Sequence, residues 1–453
     1  MEIKECVDDA QRKYFLLANQ ILTAWFRSCM ILSNSRLYID LTVEESFAMG
    51  VTETVFTTKD YLGLARSLGG LIESHAAEGD KIGTMAPAVV DAFRAVNLWD
   101  IFLPKEAGGQ GADLLTFLEV VEEISRADAS TGWAYFANML SATFFASGMG
   151  ESGVKDVFGG TGPSRTVTAA SLNQPGNVRQ VEGGYMVSVD ATHFASGAGH
   201  ADWLAAGGIC EFADGSKDAV QYLVRRDKVE FLGNWEVFGL SGTGSYSFKV
   251  PEQFIPEAYT WKAAAWQPLR GQRDLHTGLN YMAVTGHTAV SLGTAKRALQ
   301  ELVKAIDASK PRPGGVPAHR DSEVFQYQFA EMDAKYRSVR AYAVECVRDA
   351  MSTVYAGKEL TEEQRQRGNQ VNTFGVHMAE EVARFAFVWS GSAGLRGGAP
   401  LGRNLRDALV ENVHAIVDPY TLTLAGPVLM NAYRAVPIDV VPKSAGVFDH
   451  KKK

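Results

Sequence analysis

The chain changes its hydrophobic rhythm twice after residue 57. Leu62, Leu64, Ala65, Leu68 and Leu71 recur at the spacing that gathers side chains on one helix face. The same theme returns over residues 86–98 and 114–125, and a further helix is predicted from Ser130 through residue 149. Between residues 165 and 257 the pattern shortens to β-prone runs at 166–168, 185–189, 203–206, 219–224 and 246–250. Turn pairs such as Gly183-Gly184 and Asp214-Gly215 separate them, which predicts an antiparallel sheet. Helical periodicity then resumes over 281–306, 324–355 and 362–390 without an internal proline. Helices of that length are expected in a bundle.

The expected organisation is therefore α+β. Residues 1–57 form an N-terminal extension without a motif. An N-terminal helical domain spans 58–160, a central antiparallel β-domain 161–270, a four-helix bundle 271–435 and a tail 436–453.

Composition narrows the function classes. The chain has 453 residues, is 46% hydrophobic and 21% charged, and carries a net charge of −8. These are values of an ordinary globular protein. The closing Lys451-Lys452-Lys453 is too short to track a phosphate backbone, so no nucleic-acid partner is expected. Cys6, Cys29, Cys210 and Cys346 lie far apart, which points away from a disulfide framework or a metal site and toward the cytoplasm. No apolar run reaches membrane-spanning length, and the first residues do not read as a signal peptide.

Helices, then strands, then long helices is an unusual order, and local motifs accompany it. Residues 104–111 read Pro-Lys-Glu-Ala-Gly-Gly-Gln-Gly, residues 122–133 run from Glu-Glu-Ile-Ser to Ser-Thr-Gly-Trp, and residues 235–245 include Gly242-Thr243-Gly244-Ser245. Together they resemble the acyl-CoA dehydrogenase superfamily over roughly residues 58–429. Phe194-Ala195-Ser196-Gly197, and Arg406-Asp407 separated by six residues from His414, resemble its reduced-flavin monooxygenase branch. A true acyl-CoA dehydrogenase carries a proton-abstracting Glu in a characteristic segment. Glu411 is nearby but lacks that context.

The resemblance implies a reduced-flavin-dependent monooxygenase that oxygenates a small organic, aromatic or biosynthetic, substrate with O2 through a flavin hydroperoxide. Reduced FMN or FAD would come from a separate NAD(P)H:flavin reductase, since no Gly-x-Gly-x-x-Gly turn follows a strand here. It also implies a homotetramer or dimer. The catalytic candidates are Ser196, beside the flavin N5, and His414, as a hydrogen-bonding or acid–base group. The cofactor candidates are Ser196, Gly197, Thr243, Gly244, Ser245 and Arg320, and the substrate candidates are Trp133 and Asn138. Each has a plainer reading: a turn serine, a satisfied helix histidine, a turn before a strand, a solvated arginine, core packing. Strand alternation puts His200 on the Ser196 face and His193 on the other. The rival functions are an acyl-CoA dehydrogenase or oxidase and a non-catalytic scaffold of the same fold.

Overall fold

Polar side chains cap several of the helices. In the computed structural model, which describes residues 60–436 apart from 264–265, 311–313, 315–316, 397 and 435, Asp60 caps α1 (Tyr61–Ile82). The expected extension and nearly all of the tail lie outside the described residues. After α2 (Pro87–Ala95), Asp113 caps α3 (Leu114–Ala127) and Asp128 caps α4 (Ala129–Gly148), each carboxylate accepting from a backbone N–H three residues on. Helix α4 is buried almost all round, because it runs between the other helices and the sheet. The short α5 (Glu151–Phe158) closes this first helical region.

The sheet follows: β1 (Thr168–Val181), β2 (Gly184–Val189), β3 (Trp203–Glu211), β4 (Lys217–Arg225), β5 (Glu230–Phe231), β6 (Phe248–Pro256) and β7 (Thr260–Lys262), in the spatial order β5-β6-β2-β1-β3-β4-β7. Neighbours are antiparallel except β1 and β3, which run parallel. The antiparallel expectation therefore needs this correction. The chain between β2 and β3 crosses over instead of turning back, and that crossover carries Ser196. Strand β1 also runs through Pro175 and Gly176, residues that read as a break, and its register against β3 shifts between Ala170 and Pro175.

The second helical region contains α6 (Leu279–Asp307), α7 (Glu323–Tyr355), α8 (Glu362–Trp389), α9 (Pro400–Glu411) and α10 (Tyr420–Leu429). Ser322 caps α7, and Thr361 with Gln364 forms a reciprocal capping box on α8. Helix α6 is the axis of the bundle, packing on α8 on one side and on α3 and α4 on the other. That contact joins the two helical regions over one cavity.

Candidate functional site: a cavity between two unlike walls

Ser196 is fixed by its backbone before its side chain does anything. Gly197 follows it with φ +80°, and a Cβ there would sit 2.2 Å from the Asn138 amide nitrogen, so glycine is required at this turn. The Gly197 N–H donates to Thr243 O at 2.9 Å and the Gly199 N–H to Gly244 O at 3.0 Å, which zips the crossover to the 243–245 turn. The Ser196 hydroxyl then accepts from the Trp133 indole N–H at 3.0 Å and lies 2.9 Å from Ser245 Oγ. Ser245 Oγ is 2.8 Å from Thr243 Oγ1, which donates to Leu240 O at 2.8 Å. A hydroxyl can rotate to donate or accept, but each has one proton. Ser245 donates to Ser196, so the Ser196 oxygen accepts from both Trp133 and Ser245 and keeps its own proton free for a ligand.

Helix α9 holds this ladder from behind. The Leu240 N–H donates to Asp407 Oδ1 at 2.7 Å, with Leu240 itself in the left-handed region at φ +53°. Burial, reinforced by Asp128, raises Asp407 well above the usual carboxylate range. Seven residues further on, His414 reaches the cavity, so the Arg406-Asp407…His414 motif braces one wall and furnishes the other.

Asn138 frames the crossover and does not face the cavity. Its amide donates to Thr168 O at 2.7 Å, and its oxygen is 3.0 Å from His200 Nε2. The other His200 nitrogen is 3.0 Å from Thr84 Oγ1. Burial, with Arg226 and Arg94 adding to it, pushes this histidine down to about 3. Residues 191–202 are turns with a single bridge, Ala195 to Tyr246, because Gly197 breaks the extended backbone. The alternation expected for His193 and His200 does not apply. His193 is exposed.

The cavity measures about 150 Å³ and is lined by Trp133, Ser196, His414, Phe136, Phe144, Ser171, Phe194, Trp261 and His287 among others. Its second wall is a cluster of rings. His287 lies 4.6 Å from His414, 4.5 Å from Trp133 and 4.8 Å from Phe136, centroid to centroid. His414 Nδ1 accepts from the Ile416 N–H at 3.2 Å, so its proton sits on Nε2. Burial pushes His414 down to about 4, and burial plus the His414 charge holds His287 well below the usual range. Both imidazoles are therefore neutral at neutral pH.

The structure thus brings together Ser196, Trp133 and His414 at one cavity. Gly197, Thr243, Gly244 and Ser245 stand behind Ser196, with both hydroxyl residues buried. Arg320 is half-exposed on the surface near Asp321 and does not line the cavity. Sequence reasoning missed His287 and Ser171. An imidazole on the Ala-rich α6 reads as core, and Ser171 lies beyond the β-prone run that ended at residue 168.

Comparison with known proteins places these features in context. Residues 68–158 match the family described as acyl-CoA dehydrogenase, N-terminal domain, and residues 285–419 match its C-terminal domain. The chain is 27% identical over 349 residues to an indole-3-acetate monooxygenase of Pseudomonas putida, covering 77% of this chain and 88% of that one. It is 24% identical over 375 residues to the flavin-dependent monooxygenase oxygenase subunit HsaA of Mycobacterium tuberculosis, covering 77% and 89%. Among solved structures it resembles XiaF from Streptomyces in complex with FADH2 and glycerol, with a TM-score of 0.73, 20% identity and coverage of 84% and 96%.

Proposed function

The chain belongs to the acyl-CoA dehydrogenase family, and on that premise we propose that it is the oxygenase component of a two-component flavin-dependent monooxygenase acting on a small aromatic molecule. One observation carries the reading: the cavity is lined by neutral histidines facing a hydroxyl ladder, and no carboxylate among the described residues lines it. The α-proton abstraction of an acyl-CoA dehydrogenase needs such a carboxylate. Glu411, the nearby acid, instead accepts from Thr294 Oγ1 at 2.7 Å and Ser291 Oγ at 3.0 Å, and burial raises it to about 7.

The residues present fit a flat, hydrogen-bonding cofactor ring. Ser196 offers its hydroxyl proton, Phe194 beside it is 53% exposed, and Trp235, edge-on to Phe194, has a buried indole N–H without a partner among the described residues. Reduced FMN or FAD, delivered by a separate NAD(P)H:flavin reductase, would supply oxygen activation and transfer. The Ser196 hydroxyl would hydrogen-bond at the ring's N5 with its free proton, and Trp133, Ser245 and Thr243 would hold Ser196 for that contact. His414 would donate from Nε2 toward the reacting oxygen or the substrate. The cavity's free volume of about 150 Å³ is on the scale that holds a benzene-sized molecule, which favours a single aromatic ring as substrate. The same reading carries a cytoplasmic location and a homotetramer or dimer, with Val388 and Leu395 among the large apolar side chains left exposed on the bundle side.

The test is isotopic. Photoreduced FMN or FAD is added to the protein under 18O2 with phenol or indole, and the product is analysed by mass spectrometry. One labelled oxygen in the product is expected. Bleaching of bound oxidised flavin by an acyl-CoA, with no label in either aromatic, would overturn the assignment.

A further inference from the structure

His287 is the one imidazole of the cavity that the protein leaves unengaged. Trp133, Ser141, Ser196 and His414 all have protein hydrogen-bond partners. Neither ring nitrogen of His287 has one among the described residues, although the residue is only 5% exposed. It shares a helical face with Leu279 and Ala283, four residues apart along α6, and all three line the cavity. Trp133 and Phe136 meet it at interplanar angles of 78° and 66°, and its two aromatic neighbours prevent the ring from turning away. A polar group that faces a cavity without a protein partner is open to a ligand, and Ser171 Oγ and Trp261 Nε1 on the same lining likewise have no partner among the described residues.

The chemistry of that ligand follows from what is already taken. A neutral imidazole has one N–H and one acceptor nitrogen. His414 has committed its acceptor nitrogen to Ile416 and offers only a donor. The acceptor nitrogen of His287 is therefore the unmatched imidazole acceptor of this wall, and the aromatic walls around it suit a flat ring. We infer that His287 is a specificity-determining residue that accepts a hydrogen bond from the O–H or N–H of a phenol- or indole-type substrate. This rests on the aromatic monooxygenase reading above, but its test needs neither flavin nor turnover.

Phenol and toluene have nearly the same shape and differ in the O–H. Binding of both is measured calorimetrically to the full chain and to His287→Phe, which keeps an aromatic ring in place. The ratio of toluene Kd to phenol Kd should fall about fivefold in the variant, the size of one lost hydrogen bond. An unchanged ratio overturns the inference. The wild-type protein gives a second reading that does not depend on the variant folding. With 15N-labelled histidine, phenol should shift the acceptor nitrogen of His287 and toluene should not. Equal responses to both probes overturn the inference as well. Discrimination without 18O incorporation would sink the monooxygenase reading and leave the role of His287 standing.

Discussion

The two walls of the cavity use polar groups in opposite ways. On the crossover wall, Ser196 is held by Trp133 and Ser245, Ser245 by Thr243, and Thr243 by Leu240, which Asp407 holds in turn. On the ring wall, neither ring nitrogen of His287 has a hydrogen-bond partner among the described residues, and His414 is tied at one nitrogen only. A group braced on every side needs no reorganisation when it meets its ligand, which suits a reagent that is the same at every turnover. Groups held by ring packing alone keep their hydrogen-bonding capacity for what varies, the substrate. On the proposed function, the contrast would put the flavin on the crossover side and the aromatic substrate on the ring side.

Removing the donor of the ring wall has the largest expected effect. His414→Ala should lower coupled turnover by about a hundredfold, the scale of one positioned acid–base group. Reduced-flavin affinity should change little, because the crossover wall is untouched. Oxygen electrode and product assays together give the ratio of hydrogen peroxide to product, which should rise. Normal coupling with a lowered melting temperature would make His414 a packing residue. Next comes Gly197→Ala, which attacks the other wall. The φ of +80° and the overlap with the Asn138 amide should together cost about 2–3 kcal/mol of stability. Urea unfolding measures it, and a loss under about 0.5 kcal/mol, the scale of an ordinary surface change, would show that this wall gives way.

Acid tests the ring wall through His414. The folded pKa of His414, about 4, lies below the unfolded value of about 6.5. The unfolded state therefore binds the extra proton first, and stability attributable to His414 is full above the unfolded value and declines as pH falls toward 4. Glu411, raised to about 7, and Asp80, raised to about 6 by burial and Asp128, act in the opposite sense over an overlapping range. The difference between wild type and His414→Gln cancels these carboxyls. On moving from pH 7.5 to pH 5, wild type should lose about 1–2 kcal/mol more than the variant. Parallel pH profiles would mean that His414 is solvated in the folded protein.

How much of this could be read from the chain depends on the range of the interaction. The three long helices were placed within two residues at each end, because a sustained 3.6-residue period is a local property. The parallel β1–β3 pair was not legible, since Pro175 and Gly176 signal a break that a register shift absorbs. Ser196 and His414 entered through a family resemblance, and no periodicity singles them out. His287 and Ser171 could not be found that way. Their distinguishing feature is a missing partner, and a partner is missing only once the whole cavity has closed. Asn138 was expected at the substrate, yet both ends of its amide are tied to the frame by residues distant in sequence.

The smallest effect belongs to Trp133, which is the one side chain common to both walls. Its N–H donates to Ser196, while its ring packs on His287 and His414 at 4.5 and 5.5 Å. Trp133→Phe keeps most of the ring packing and removes only the donor. Ser196 then loses one of two partners, and a single neutral hydrogen bond is worth about 1 kcal/mol net, or about fivefold in an equilibrium. Reduced-flavin affinity, measured by anaerobic fluorescence titration, should weaken by about that factor. The phenol-to-toluene preference should stay at its wild-type value, because His287 keeps its acceptor. The pattern matters more than the size. A weakened flavin with an intact aromatic preference keeps the walls distinct, whereas a lost preference with unchanged flavin affinity would show that Trp133 serves the substrate side and that the division between the walls is drawn in the wrong place.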